Sequence, residues 1–261
     1  MDRTYWHRQT KDKPLYPDLL WSRPEHKAQA GKLLVIGGSS HGFSAPALAF
    51  DEAEKAGAGT VRALLPDSLQ KTVGRAFPAG EYAPSTPSGS FSQQALGECL
   101  EASQWADGVL LAGDFGHNSE TAILLEKFVN KYSGQLALVQ DALDYFLMSP
   151  EQLLDRDKTL LVPSFRQLQK LSQAANFPQP YTSDMDLLKM IESLHDFTEK
   201  HSIGIILGHA GNAIVTIDGR VSTTKIDTLP DGIVAASHAS VWWLQNPSKP
   251  FEALSTAVIG Q

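Results

Sequence analysis

Short apolar runs recur along the chain, each followed by small or turn-forming residues and then by a stretch of helical composition. The first begins at Lys32 with KLLVIGG, meets glycine and serine through Gly42, and passes into an alanine-rich stretch from Ala45 to Ala56. The same alternation returns at Thr60–Leu65 before a helix near Asp67, at Gly108–Ala112 before a helix from Ser119, and at Leu136–Val139 before Asp141. Further apolar runs stand at Thr159–Val162 and Ile203–Leu207. Strands that stay apolar without alternating are buried on both faces. The pattern therefore predicts a three-layer α/β fold, a mostly parallel central sheet with helices on both sides. Near the C-terminus, NAIVTIDGRVSTTKI sets two strand-like halves around Asp218-Gly219, a tight-hairpin signal that predicts antiparallel strands at one edge of the sheet. An apolar helix, Ile233–Leu244, and a second amphipathic segment after Pro250 close the chain.

Two stretches fall outside this rhythm. Residues 1–22 are polar and aromatic with two prolines, and read either as an arm laid over the domain or a neighbouring subunit, or as a frayed tail. The proline-rich segment FPAGEYAPSTPSGSFS, 77–92, reads as a surface excursion between two units of one fold. The division expected is an N-terminal arm, 1–22, and a single domain, 23–261.

Composition narrows the function classes. The 261 residues are 42% hydrophobic and 20% charged, close to globular averages, and a chain of this mass can bury roughly three quarters of its surface. Twenty-two basic against twenty-nine acidic side chains give a net charge of -7 with no long basic run, so nucleic acid is not an expected partner. The single cysteine, Cys99, cannot form an internal disulfide, and the N-terminus lacks the apolar stretch of a secretory leader, which together suggest a cytoplasmic protein. No apolar run approaches the ~20 residues that cross a bilayer, so no membrane partner is expected.

In open parallel sheets ligands bind beyond the carboxyl ends of the strands, so the residues after each apolar run carry the chemical interest. Gly37-Gly38-Ser39-Ser40-His41-Gly42 follows the first strand. It suits either a tight turn or the approach of an anion to the next helix's amides. Asp114 and Asp141 follow the third and fourth strands, where a carboxylate can hold Mg²⁺, act as a base or cap a helix. Asp231 precedes the apolar helix at Ile233, as a helix cap or a catalytic carboxylate would. No zinc-motif spacing, nucleophile elbow, dinucleotide fingerprint or Walker A motif occurs. The pair Trp242-Trp243 suits core or subunit packing.

Arg23-Pro24-Glu25-His26-Lys27, then Gly31-Lys32 leading into LLVIGGS through Ser39, then Ala45-Pro46, then Ala56-Gly57-Ala58-Gly59, form a collinear set. In these segments the chain resembles the ADP- or ATP-dependent NAD(P)H-hydrate dehydratases, a branch of the ribokinase-like superfamily, and the resemblance runs more faintly from about residue 20 to the helix after Asp231. It implies a ribokinase-like fold, ADP or ATP with Mg²⁺ as cosubstrate, and hydrated NADH or NADPH as the substrate to be repaired. It also implies that Asp231 is the catalytic base, and that Gly208, His209, Thr228, Leu229 and Gly232 hold the nucleotide. Gly38, Ser39, Ala45, Gly116 and Ser164 would face the substrate, and Asp141 a metal. Family members are often tetramers, so a homo-oligomer is implied, with Trp242-Trp243 and the N-terminal arm as surfaces to cover.

Several positions depart from the family's pattern. Where the family carries Gly-Thr-Gly-Asp, this chain has Thr228-Leu229-Pro230-Asp231, and Pro230 has no N–H to offer an anion. Gly208-His209 stands for lysine-glycine, Pro163-Ser164-Phe165-Arg166-Gln167 for Pro-His-Pro-Gly-Glu, and Ala112-Gly113-Asp114-Phe115-Gly116 for Gly-Pro-Gly-Leu-Gly. Asp141 is the aspartate kept from an Asp-Ala-Asp-Ala-Leu-Asn segment. These changes gather where phosphoryl transfer would occur. A working dehydratase, a non-catalytic nucleotide- or partner-binding member of the fold, and a sugar or vitamin kinase on the same scaffold are the readings they leave.

Overall fold

The computed structural model describes residues 3–226 and 231–259. Ten strands form one sheet: β1 (Trp6–Gln9), β2 (Lys32–Gly37), β3 (Thr60–Pro66), β4 (Gly80–Ala83), β5 (Gly108–Gly113), β6 (Gln135–Val139), β7 (Thr159–Val162), β8 (Ile203–His209), β9 (Asn212–Ile217) and β10 (Arg220–Lys225). The α-helices are α1 (Pro17–Trp21), α2 (Ser44–Lys55), α3 (Gln70–Val73), α4 (Leu96–Trp105), α5 (Ser119–Lys131), α6 (Asp141–Asp144), α7 (Glu151–Leu154), α8 (Phe165–Ala174), α9 (Leu187–Lys200), α10 (Gly232–Gln245) and α11 (Pro250–Ala257). The strand order is β1-β10-β9-β8-β7-β6-β5-β2-β3-β4, parallel throughout except for the β8–β9 and β9–β10 pairs.

The apolar runs become strands because helices cover both faces. Along β2, Leu33 and Val35 face one layer, in which Ala49, Phe50 and Ala53 of α2 meet Ala236, Ala239 and Trp243 of α10. Leu34 and Ile36 face the other layer, where Cys99 and Ala102 of α4 belong to one buried cluster with Leu124 and Phe128 of α5 and Leu171 of α8. From Leu33 to Gly37, β2 therefore finds no solvent on either side. Trp242 and Trp243 are 2% and 4% exposed within a single chain. Of the two uses expected for them, the core one holds and the subunit surface does not: α10 packs on the sheet flanked by α2 and α11, so both indoles are buried within the chain.

The chain's first segment is part of the sheet. β1 pairs parallel with β10, Trp6 opposite Val221 and Gln9 opposite Thr224, so it forms the outermost strand beyond the predicted hairpin. Gln9 is buried, and its Nε2 donates to Thr224 Oγ1 at 2.8 Å and to the Ser255 carbonyl at 2.6 Å. The segment 77–92 is also more than an excursion. Gly80–Ala83 pairs with β3 as the opposite edge strand, and Phe91 is fully buried in the core. Proline and serine composition concealed both features, because a single buried aromatic leaves no period to read.

The glycine of the Ala56–Gly59 motif has a local cause. Gly59 donates its N–H to the Gly31 carbonyl at 2.9 Å, and a Cβ there would run into the Lys27 carbonyl. Only glycine lets the turn before β3 close on the turn before β2. The resemblance over residues 23–59 thus follows a packing requirement of the first two parallel strands.

Candidate active site

The carboxyl ends of β6, β7 and β8 and the N-terminus of α10 enclose a cavity of about 630 Å³. Its floor is apolar, from Val139, Val162, Ile206, Ala213 and Val258, and its wall carries the carboxylates Asp141, Asp144 and Asp231 with no lysine or arginine among the described residues. That size falls in the ~300–1,000 Å³ range of small-molecule sites.

Asp231 enters from the helix side. It is the N-cap of α10: its Oδ1 accepts the Ile233 N–H at 2.7 Å, and its carbonyl accepts from Ala235 N at 3.0 Å. The capping and catalytic readings thus describe one exposed side chain at the cavity's edge, with one carboxylate oxygen engaged and the other not assigned to the cap. Gly232 lies against Val139, where an added Cβ would come within 3.2 Å of the valine methyl.

Asp141 enters from the sheet side. The residue before it, Gln140, has φ +53° and ψ −136°, a backbone region costly for a non-glycine residue, and this turns the chain sharply out of β6. Asp141 Oδ2 accepts the Gly116 N–H at 3.1 Å, while Oδ1 is buried without a partner. Burial raises the Asp141 carboxyl above the ordinary aspartate range; the Gly116 N–H opposes this, and the neighbouring charges of Asp114 and Asp144 add to it.

Gln167 ties this corner together. Ser164 caps α8 through a reciprocal box, its Oγ accepting from Gln167 N at 3.3 Å while the Gln167 Oε1 accepts from Ser164 N at 2.9 Å. The Gln167 amide then donates to the Gln140 carbonyl at 2.7 Å and to Asp144 Oδ1 at 2.9 Å. Gln140, Asp144 and Gln167 line the cavity; the first two were not named from the sequence, and Gln167 entered there only as the end of the Pro163–Gln167 segment. Ser164-x-x-Gln167 before an apolar run is the one signal that could have marked Gln167.

The residues expected at the site divide into two groups. Asp141, Ser164, Gly208, Asp231 and Gly232 line the cavity. Gly38, Ser39, Ala45 and Gly116 gather at the ends of β2 and β5, and the Gly116–Asp141 hydrogen bond joins the two groups. His209 lies outside the lining; its ring stacks on Phe165 at 6.1 Å and its Nε2 is 2.8 Å from the Met185 carbonyl. Thr228, Leu229 and Pro230 lie outside the described residues.

At the β2 end, the anion expected at the α2 amides has a resident substitute. Asp114, at φ +59°, reaches across from the end of β5, and its Oδ2 accepts from Ala45 N at 2.8 Å and Ser44 Oγ at 3.2 Å. It caps α2, whereas Asn118 caps the following helix α5. Gly42 makes room for this, since a Cβ there would lie 2.8 Å from the Asp114 carboxyl carbon. The segment 85–90 covers the turn, with Ser40 Oγ donating to the Ser88 carbonyl at 3.0 Å.

An oxygen-rich wall with an unpartnered buried carboxylate oxygen suits a hard divalent cation, and an apolar floor beside Gly208 and Gly232 suits a flat ring. With carboxylates and no cationic side chain among the described residues of the wall, a polyphosphate is best received together with such a cation. The residues present therefore fit a magnesium–nucleotide pair.

No protein-family model matches the chain. The chain is 23% identical to the bifunctional NAD(P)H-hydrate repair enzyme Nnr of Dictyoglomus turgidum over 189 residues, 71% of this chain and 35% of that protein. It is 24% identical to the enzyme of the same name from Salinibacter ruber over 245 residues, 89% and 43% respectively. The chain thus spans less than half the length of these curated homologues. Among solved structures, a ribokinase-like superfamily protein of Enterococcus faecalis V583 superimposes with a TM-score of 0.74 at 14% identity, covering 99% of this chain and 87% of that one. The ADP/ATP-dependent NAD(P)H-hydrate dehydratase of Bacillus subtilis, co-crystallised with ATP/Mg²⁺, does so with a TM-score of 0.64 at 14% identity, covering 94% and 86%. The fold is the ribokinase-like one.

Proposed function

We propose that the chain is an NAD(P)H-hydrate dehydratase, restoring hydrated NADH or NADPH at the expense of ADP or ATP. The observation that carries this reading is the meeting of Asp231, at the head of α10, with Asp141 and Asp144 across one cavity of nucleotide size. The names of the homologues and of the ATP/Mg²⁺-bound neighbour agree with it.

Hydroxide is a poor leaving group, so the ring hydroxyl of the hydrate must be activated. Asp231 takes the hydroxyl proton as the oxygen attacks the terminal phosphoryl group. The phosphoryl–oxygen bond of ADP or ATP breaks, and AMP or ADP leaves. The ring C–O bond then breaks with loss of phosphate, and a ring proton departs to restore the dihydropyridine. Little covalent chemistry falls to the protein, whose part is positioning and charge stabilisation. Asp141 would hold Mg²⁺ with Asp144 beside it, and the ion would neutralise phosphate charge. Gly232 N and the apolar floor orient the nucleotide.

A second reading keeps binding and drops turnover. Asp231 Oδ1 is committed to its cap, the wall has no cationic side chain among the described residues, and Pro230 has no N–H. The discriminating experiment incubates the protein with hydrated NADH or NADPH, ADP or ATP, and Mg²⁺, and follows recovery of dihydropyridine absorbance. Nucleotide-dependent recovery supports the dehydratase. A thermal shift with the nucleotides but no recovery favours the binder; at 100 times its dissociation constant a ligand adds about 2.7 kcal/mol of stability. Homo-oligomerisation, as a tetramer, and a cytoplasmic location belong to the same proposal, and light scattering tests the first. Among the described residues no helix is long and apolar enough to cross a membrane.

A further inference from the structure

On the C-terminal half of α9, His195, Asp196 and Glu199 each place one donor atom within 4.8 Å of the others. His195 and Glu199 are one helical turn apart, which stacks them on one face, and Asp196 flanks them. The cluster stands far from the cavity. It adjoins the Asp218-Gly219 turn at the Ile205 end of β8, whereas Gly208, at the other end of that strand, lines the candidate active site.

His195 is held as a ligand imidazole is held. Its Nδ1 lies 2.5 Å from the Gly219 carbonyl oxygen, a contact in which the ring N–H donates. That fixes the proton on Nδ1 and leaves the lone pair on Nε2, the arrangement by which backbone carbonyls orient metal-binding histidines. Tyr5 stacks flat on the same ring, centroids 3.6 Å apart and planes 2° apart, so the ring cannot swing. Asp196 Oδ2 accepts from Gln179 Nε2 at 2.9 Å, leaving Oδ1 for another partner. Of the nearby cations, Arg3 is paired with Glu192 at 3.3 Å, and Lys189 lies about one and a half turns before His195 on α9 in the same groove. An open groove of about 640 Å³, lined by Tyr5, His195 and Asp196, gives access from solvent.

We propose that His195, Asp196 and Glu199 bind a divalent transition-metal ion, with Zn²⁺ the best match to one imidazole nitrogen and two carboxylates. A nitrogen donor disfavours Mg²⁺ and Ca²⁺, which take oxygen ligands. All three donors lie on α9, so the ion clamps one turn of that helix, whose imidazole already touches the segment before β1 through Tyr5 and the β9–β10 turn through Gly219. It serves the architecture, separate from phosphoryl transfer.

The test uses the full chain stripped of metal. Titration with Zn²⁺ alone, by calorimetry, is expected to show one equivalent per chain, and loading with Co²⁺ to give a visible d–d band stronger than that of the aqueous ion. Glu199→Gln changes an exposed side chain and His195→Gln removes the nitrogen donor; each abolishes the band, while His26→Gln leaves it intact. Gln179→Ala, which strips the outer hydrogen bond from Asp196, weakens affinity by ~10 to 100-fold. Absence of the band in the wild-type protein, or its persistence in the His195→Gln/Glu199→Gln double variant, overturns the proposal. Zn²⁺ should raise the melting temperature of wild type and not of Glu199→Gln; an equal rise in both also overturns it.

Discussion

Asp231 is asked to do two things, and substitutions can separate them. As N-cap of α10 it accepts the Ile233 N–H at 2.7 Å; in the proposed function it is also the proton acceptor for the substrate hydroxyl. Replacing a capping residue by alanine costs ~0.5–2 kcal/mol, and at this chain length each kcal/mol moves the melting temperature by about 2–4 °C. Asp231→Ala should therefore melt ~1–8 °C lower, toward the small end because the buried face of α10 holds the helix regardless of its cap. Asparagine caps nearly as well as aspartate, so Asp231→Asn should lose at most a few tenths of a kcal/mol from the cap. Loss of a general base lowers turnover by ~10²–10⁴-fold, equivalent to about 2.7–5.4 kcal/mol of barrier. The expected pattern is thus an Asn variant that melts like wild type and turns over at least ~100-fold more slowly, and an Ala variant impaired in both. Scanning calorimetry and the dihydropyridine absorbance assay read the two axes. Wild-type turnover in Asp231→Asn would refute the proton acceptor, and an unchanged melting temperature in Asp231→Ala would refute the cap.

Asp141 gives a pH-dependent prediction. Its carboxyl is raised by burial, so its contribution to stability is present below the ordinary aspartate value and lost as pH rises through the raised native value. Asp141→Asn should be more stable than wild type at neutral pH, with the gain fading by ~pH 3, below the ordinary value of about 3.9; a urea midpoint difference that ignores pH would sink this. Gln167→Ala removes the side-chain half of the capping box and the bonds to Gln140 and Asp144, and should cost ~1–3 kcal/mol and slow turnover, while Gln167→Glu retains the box and loses the donor to both Gln140 and Asp144. Phe91→Ala should cost ~3–5 kcal/mol, measured by denaturant unfolding; a loss under about 1 kcal/mol would mean that 84–92 is not anchored. The Cys99 thiol, buried and pushed up to about 12, should resist alkylation in the native protein and react on unfolding.

The sequence by itself determined the layered sheet. Runs such as Leu33–Ile36, Leu110–Ala112 and Leu136–Val139 are apolar at consecutive positions, the pattern of strands buried on both faces, and their shortness and flanking turns set them apart from buried helices. It also set the positions of the strand-end carboxylates and of the Asp218-Gly219 hairpin, since turn chemistry is local. What it could not carry was any property that depends on two distant segments meeting. The outermost strand β1 exists because Trp6–Gln9 finds β10 more than two hundred residues later, and no local period announces such a pairing. Asp114 looked like a cap for the helix after it; tertiary packing handed it to α2, 69 residues back at Ala45, because Gly42 leaves room for its carboxyl. Gln167 and Gln140 became part of the site only when α8 folded against the end of β6, and His195 met Tyr5 and Gly219 only across three elements. Patterning is fixed by the solvent each residue must avoid, which is written in the chain one residue at a time. A site is fixed by which ends of the sheet come together, and that is settled only when the long-range contacts close.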